Sequence, residues 1–199
     1  MNILVVLFVM GIMGLTAQPA ENISSTDEIV WFGMDYSQVK LIGGQDAFSD
    51  LDQIQGHYFR AWNELILTES DKYDIKGAFD VRRVTYDMEF AISQSEQRES
   101  EGIRQMETYS ISEEQVNEMV WQYTDTSDDR IGAVLIMESL DKLRERSTMW
   151  LAVFDIATGE ILHLKWYTGT PGGFGFRNYW ARSYYNVLKS LKVSPRKPI

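Results

Sequence analysis

Apolar and polar positions change period several times along the chain, and each change predicts an element. Residues 29–43, IVWFGMDYSQVKLIG, are rich in aromatic and β-branched side chains and close on Gly43-Gly44, the punctuation that follows a strand. From Asp46 onward Leu51, Ile54, Tyr58, Ala61, Trp62, Leu65 and Ile66 recur at helical spacing, so one face of a helix packs inward. Gly56 weakens the middle of that helix by roughly 1 kcal/mol relative to alanine, which makes it depend on tertiary burial. The stretch VRRVTYDMEFAI alternates, with Val84, Tyr86, Met88, Phe90 and Ile92 on one side and Arg83, Thr85, Asp87 and Glu89 on the other. This predicts a half-buried strand. Residues 93–107 are charged and polar and predict a flexible loop.

Ser112 and Gln115 have the spacing of a capping box, and Ile111 and Val116 that of a hydrophobic staple. A helix therefore follows, with Val116, Met119, Val120 and Tyr123 on its inner face and the acidic turn TDTSDD at its end. The continuous apolar run IGAVLIMESL, residues 131–140, suits a central strand covered on both faces. Residues 147–167 predict two strands joined across Ala157-Thr158-Gly159, and residues 178–192 a final helix with Trp180, Tyr184, Val187, Leu188 and Leu191 on its inner face. The predicted order is β-α-β-α-β-β-α: an α/β (α+β) fold with a mixed sheet, parallel at first, antiparallel in the terminal hairpin, and helices packed on it.

Three compositional features change this picture. Residues 1–17, MNILVVLFVMGIMGLTA, form an apolar run ending in small Ala17, which reads as a secretory signal peptide and places the protein in the periplasm or outside the cell. The alternative is retention as an anchor, since no Lys or Arg precedes the run. Residues 18–28 read as a linker, 29–192 as a single domain and 193–199 as a flexible basic tail. No other segment approaches the ~20 apolar residues of a transmembrane helix. The chain has no cysteine, which excludes disulfides, thiolate metal sites and the lipidated cysteine of a bacterial lipoprotein. Its formal net charge of -10 disfavours phosphate backbones and anionic lipid, so no nucleic-acid partner is expected.

Candidate chemistry centres on GTPGGFGFRNYW, residues 169–180. Gly172, Gly173 and Gly175 lead into a helix with Arg177 and Asn178 at its start, which meets the outline of a phosphate cradle. The string lacks the Gly-Lys-Ser/Thr of a P-loop, and Asn178 stands where a dinucleotide fingerprint needs its third glycine. The glycines are read instead as letting Phe174 and Phe176 tuck under the sheet while the backbone turns. If the loop binds anything, Arg177 favours a carboxylate, a phosphate or a partner's backbone. His57 and His163 have no second histidine at ligand spacing, and Asp125, Asp128 and Asp129 lack the glycine and distal glutamate of an EF-hand, so no metal and no cofactor is expected. No nucleophile elbow is present, and no catalytic residue is assigned.

The aromatics carry more weight. Among the six Trp, ten Tyr and nine Phe, Trp31, Phe32, Tyr36, Trp166, Tyr167, Tyr179, Trp180, Tyr184 and Tyr185 concentrate in the first strand, the last strand and the last helix. Adjacent rings on a strand point to opposite faces, so Trp31-Phe32 and Trp166-Tyr167 cannot all enter one core. Trp31, Trp166 and Tyr185 are the candidate partner contacts, in a surface rich in Tyr and Trp.

A first strand ending in Gly-Gly, a helix with RAWNELI, a late hairpin with FDIATGEIL and then GGFGFRNYW resemble small secreted proteins of unknown function from Bacteroidetes-type bacteria. More loosely, the order is similar to periplasmic α/β domains of the curli secretion channel, of the Tol translocation protein's N-terminal region and of the activator lipoproteins of peptidoglycan synthases. In those proteins a D-x-x-T-G turn precedes the final helix, as Asp155, Thr158 and Gly159 do here. The resemblance implies a non-enzymatic binding or assembly module of the cell envelope with a protein partner. The alternative from the residues is an anion-binding protein or hydrolase using loop 172–178.

Overall fold

The computed structural model describes residues 26–191, so the expected signal peptide, most of the expected linker and the expected basic tail lie outside the described residues. The fold is mixed α/β, built on one twisted sheet. Its centre is β5 (Ile131–Asp141), the apolar run, which is buried along its whole length. On one side of it, β1 (Glu28–Asp35) and β2 (Lys40–Ile42) lie end to end, parallel to β5: Ile29 to Asp35 pair with Ile131 to Ile136, and Lys40 to Ile42 with Ser139 to Asp141. Beyond them β3 (Arg83–Tyr86) pairs parallel with β1, and β4 (Arg104–Gln105) parallel with β2. On the other side β6 (Arg146–Asp155) and β7 (Ile161–Gly169) follow antiparallel. The parallel start and antiparallel end expected from the element order are both present.

The single predicted first strand is interrupted because the chain leaves the sheet at Tyr36 and re-enters at Lys40. That exit is held by side chains: Ser95 Oγ accepts from Tyr36 N–H at 2.9 Å, and Arg98 Nη1 donates to the carbonyls of Tyr36 and Val39 at 2.9 and 2.8 Å. Within β1 a bulge falls between Trp31 and Met34, and Gly33 sits there at φ +89°. Buried Asn63 serves this bulge, accepting from Met34 N–H at 2.7 Å and donating to Met34 C=O at 2.9 Å. A strand can carry an irregularity in the core only where such a partner satisfies the freed backbone groups.

The helical pattern from Leu51 is realised as α1 (Leu51–Gln53), a π-helical turn (Ile54–Tyr58) and α2 (Phe59–Thr68). Gly56 lies in the π turn, so the weak helix former occupies the widened part of the run. A short α3 (Ile75–Phe79) follows, capped by Asp74 and ending on Asp80 in the left-handed region at φ 51°. The predicted strand over 81–92 is half correct. Residues Arg83–Tyr86 are β3, but Glu89–Gln97 form α4, so Phe90 and Ile92 belong to a helix. Alternation over 81–92 is compatible with both periods, and the packing of Ala91 and Ile92 into the two cores selects the helix.

Two cores result. On one face α2, α3 and α6 (Phe176–Ser190) cover the sheet, burying Trp31, Tyr36, Trp62, Trp180 and Tyr184. On the other, α5 (Glu113–Val120) and part of α4 cover Val30, Phe32, Val134, Ile136, Ala152 and Phe154. The Ser112–Gln115 capping box is formed in both directions, at 2.9 and 3.2 Å. Gly159 turns the β6–β7 hairpin at φ 70°. Among the described residues no helix is long and apolar enough to cross a membrane.

Candidate functional site

α5 is only eight residues long, and Ile111, just before its start, belongs to the wall of a cleft. A cavity of about 360 Å³ opens there, walled by Tyr109, Ser110, Glu138, Arg146, Trp150 and Trp166. Three features of the strands bring these residues together. Trp150 and Trp166 are register partners on β6 and β7, so both side chains project from the same face of the sheet. Glu138 sits at a bulge of β5 between Met137 and Ser139, opposite the gap where β1 ends and β2 begins. Tyr109 comes from the segment that joins β4 to α5.

Glu138 is 3% exposed. One carboxyl oxygen accepts from the Ile111 backbone N–H at 2.8 Å, and the other from the Trp166 indole N–H at 2.9 Å. Trp166 is 40% exposed, so a buried acid fixes the angle of an open ring. Deeper in the wall, Ser139 and Thr148 hydroxyls bond each other at 2.7 Å, and Asp141 accepts from Arg144 Nη1 at 3.1 Å with Arg146 Nε at 4.0 Å. Two donors of the lining residues, Trp150 Nε1 and Arg146 Nε, have no hydrogen-bond partner among the described residues.

Next to the cleft lies a second polar cluster. Asp35, 2% exposed, accepts from the Tyr123 hydroxyl at 2.7 Å and the Ser37 N–H at 2.8 Å. Burial pushes its carboxyl above the ordinary aspartate range, against the pull of these hydrogen bonds and of the Arg98 charge. The Tyr123 hydroxyl is raised well above its usual value by burial and by the Asp35 charge. Burial also raises Tyr109, with Arg98 pulling it down and Glu138 pushing it up.

The residues singled out from the sequence are divided among three places. Trp31 is 0% exposed, tilted against Phe79 in the core, and offers nothing to a partner. Its burial corrects the expectation of a surface contact: the helical face of β1 is fully covered. Gly172, Gly173, Asn178 and Tyr185 do meet, in the wall of a shallow cavity of about 290 Å³ with Lys72 and Arg182. Lys72 is already bonded to Glu69 at 3.1 Å, and the Arg177 guanidinium faces the same Glu69 at 4.0 Å. The Gly172 N–H, which a phosphate would need, donates to Tyr179 C=O at 2.9 Å, and Gly175 leads into α6 at φ +79° with no side-chain cap. Phe174 is 95% exposed and does not tuck under the sheet; Phe176 does pack inward, against Phe48, Tyr58 and Trp62.

Only Trp166 of the singled-out residues lies at the larger cleft. Glu138, Trp150 and Tyr109 were missed, although a signal existed: Glu138 is the one charged side chain within IGAVLIMESL, a run read as buried on both faces. His57 is exposed on the π turn, and His163 is half-buried on β7, where burial and then Lys165 hold its imidazole below the usual range. Asp125 folds back on Ser127, and Asp128 is held by Arg130 at 2.6 Å. Among the described residues no group of three His, Cys, Asp or Glu could hold a metal ion. No family model, curated protein or solved structure matches the chain, so the cleft is interpreted from its own geometry.

Proposed function

We propose that the chain is a binding or assembly module of the bacterial cell envelope, acting outside the cytoplasm and engaging its partner at the Trp166 cleft. The observation that carries this reading is the half-exposed Trp166 ring pinned by a buried acid, Glu138. A large ring held in one orientation before contact loses little freedom on binding, which is what makes tryptophan an effective anchor. The apolar pattern of residues 1–17 supports the location. Loop 172–178 is the weaker candidate, because its Gly172 amide is spent inside the chain and Glu69 lies against Arg177 and Lys72.

The test is site-specific photo-crosslinking of the full chain in bacteria that express it. A benzophenone side chain at Thr168, exposed on the same strand face as Trp166, is compared with one at Lys76 on the opposite face. Adducts at position 168 that vanish with Trp166→Ala support the reading. Adducts at 76 alone, or at 168 regardless of Trp166, overturn it.

A further inference from the structure

The inventory of polar atoms in the cleft narrows what it binds. Trp150 Nε1 and Arg146 Nε make no hydrogen bond among the described residues, the latter only facing Asp141 at 4.0 Å, and a buried donor without a hydrogen bond is destabilising until an acceptor reaches it. The Glu138 carboxyl oxygens each accept one bond within the chain and retain capacity for another. Trp150 and Trp166, register partners on adjacent strands, add apolar ring surface to the same wall. Unpartnered donors, spare acceptors and flat apolar surface are thus interleaved within one cavity of about 360 Å³, which is the lower part of the range for small-ligand sites.

An amine or guanidinium would use the rings and Glu138, but it would meet Arg146 and satisfy neither unpartnered donor. An anion would use the donors but face Glu138, and approach a chain of net charge -10. A hydroxyl both donates and accepts, and a pyranose ring carries hydroxyls around its rim while its C–H face is apolar. We propose that the cleft is a carbohydrate subsite, stacking one or two rings of a neutral glycan on Trp150 and Trp166 while Glu138 and Arg146 bond its hydroxyls. This deepens the binding-module reading and rests on it.

The experiment is calorimetric titration of the purified full chain with cellohexaose, maltohexaose and chitohexaose, with hexagalacturonate as the anionic probe and pentalysine as the cationic one. At least one neutral oligosaccharide is expected to saturate with a Kd below about 1 mM, and Trp166→Ala to weaken it by about tenfold or more. Glu138→Gln, which keeps an acceptor for Ile111, should weaken it by about three- to tenfold, while Trp121→Ala, an exposed tryptophan away from the cleft, leaves affinity unchanged. Should Trp166→Ala misfold by circular dichroism, Trp166→Phe, which keeps a ring but loses the bond to Glu138, gives a smaller loss in the same direction. The proposal is overturned if no neutral oligosaccharide saturates below about 10 mM, if pentalysine or hexagalacturonate binds in its place, or if Trp166 variants bind as wild type does. Crosslinks at Thr168 without any saccharide binding would remove the glycan and leave the binding face; adducts confined to Lys76 would remove the face itself.

Discussion

Removing the Glu138 side chain separates its two bonds by their consequences. In Glu138→Ala the Ile111 N–H loses its acceptor where Ile111 is 2% exposed. A buried orphan of this kind costs about 1–3 kcal/mol. The Trp166 indole, at 40% exposure, can turn toward water, and its lost bond adds only about 0.5–1 kcal/mol. The expected loss is therefore about 2–4 kcal/mol, read as a lower urea midpoint at unchanged slope. Glu138→Gln keeps an oxygen for Ile111 but turns an amide N–H₂ toward the indole donor, and should cost about 1 kcal/mol. Trp166→Phe removes that donor, so adding it to Glu138→Gln relieves the conflict. The double variant should then be less destabilised than the sum of the singles by about 1 kcal/mol. If Glu138→Ala stays within about 0.5 kcal/mol of wild type, or the two changes add within about 0.3 kcal/mol, the acid does not hold the ring and the cleft is not preorganised.

Gly33→Ala should cost about 2–4 kcal/mol in the same assay, because the residue sits at φ +89° and a Cβ there would lie 2.5 Å from Asn63 Oδ1; a neutral result would show that the β1 bulge is dispensable. Since burial raises the folded-state pKa of Asp35 above 3.8, the folded chain keeps a proton that the unfolded chain has released, and stability falls as pH rises through the window that opens at 3.8. Subtracting the urea stability of Asp35→Asn from that of wild type at each pH should isolate this decline, and a difference independent of pH would refute it. Arg177→Ala should leave stability within about 0.5 kcal/mol and inorganic phosphate binding unchanged, as titration calorimetry would show, because the guanidinium faces Glu69 rather than an open amide nest.

The elements most legible in the sequence were those with an unambiguous period or a local chemical signature. The Ser112–Gln115 box, the Gly159 hairpin and the α6 stripe of Trp180, Tyr184, Val187 and Leu188 depend on neighbours a few residues away, and the structure contains all three. The break between β1 and β2 was hidden because its partners are remote: Ser95 and Arg98 lie about sixty positions along the chain from the Tyr36 carbonyl and amide they bind. The same holds for α4, whose alternating pattern fitted a strand until two cores claimed adjacent residues, Ala91 and Ile92. At the cleft, Trp166 could be named from the rule that adjacent strand residues face apart. Trp150 could not be distinguished from the core positions around it, since its partnership with Trp166 depends on the β6–β7 register. The glycine loop is a conspicuous local motif whose Gly172 amide closes on Tyr179 in the helix that follows, a bond that no local spacing announces.

The six tryptophans provide a reporter for each region, since every indole N–H gives its own proton–nitrogen resonance. Titrating the ¹⁵N-labelled chain with the neutral oligosaccharides should shift the Trp166 and Trp150 indole signals while those of the core residues Trp31, Trp62 and Trp180 stay in place. Shifts confined to Trp62, whose indole donates to Arg177 C=O at 2.9 Å beside the glycine loop, or an unmoved Trp166 in a saturated complex, would place binding elsewhere and contradict the cleft.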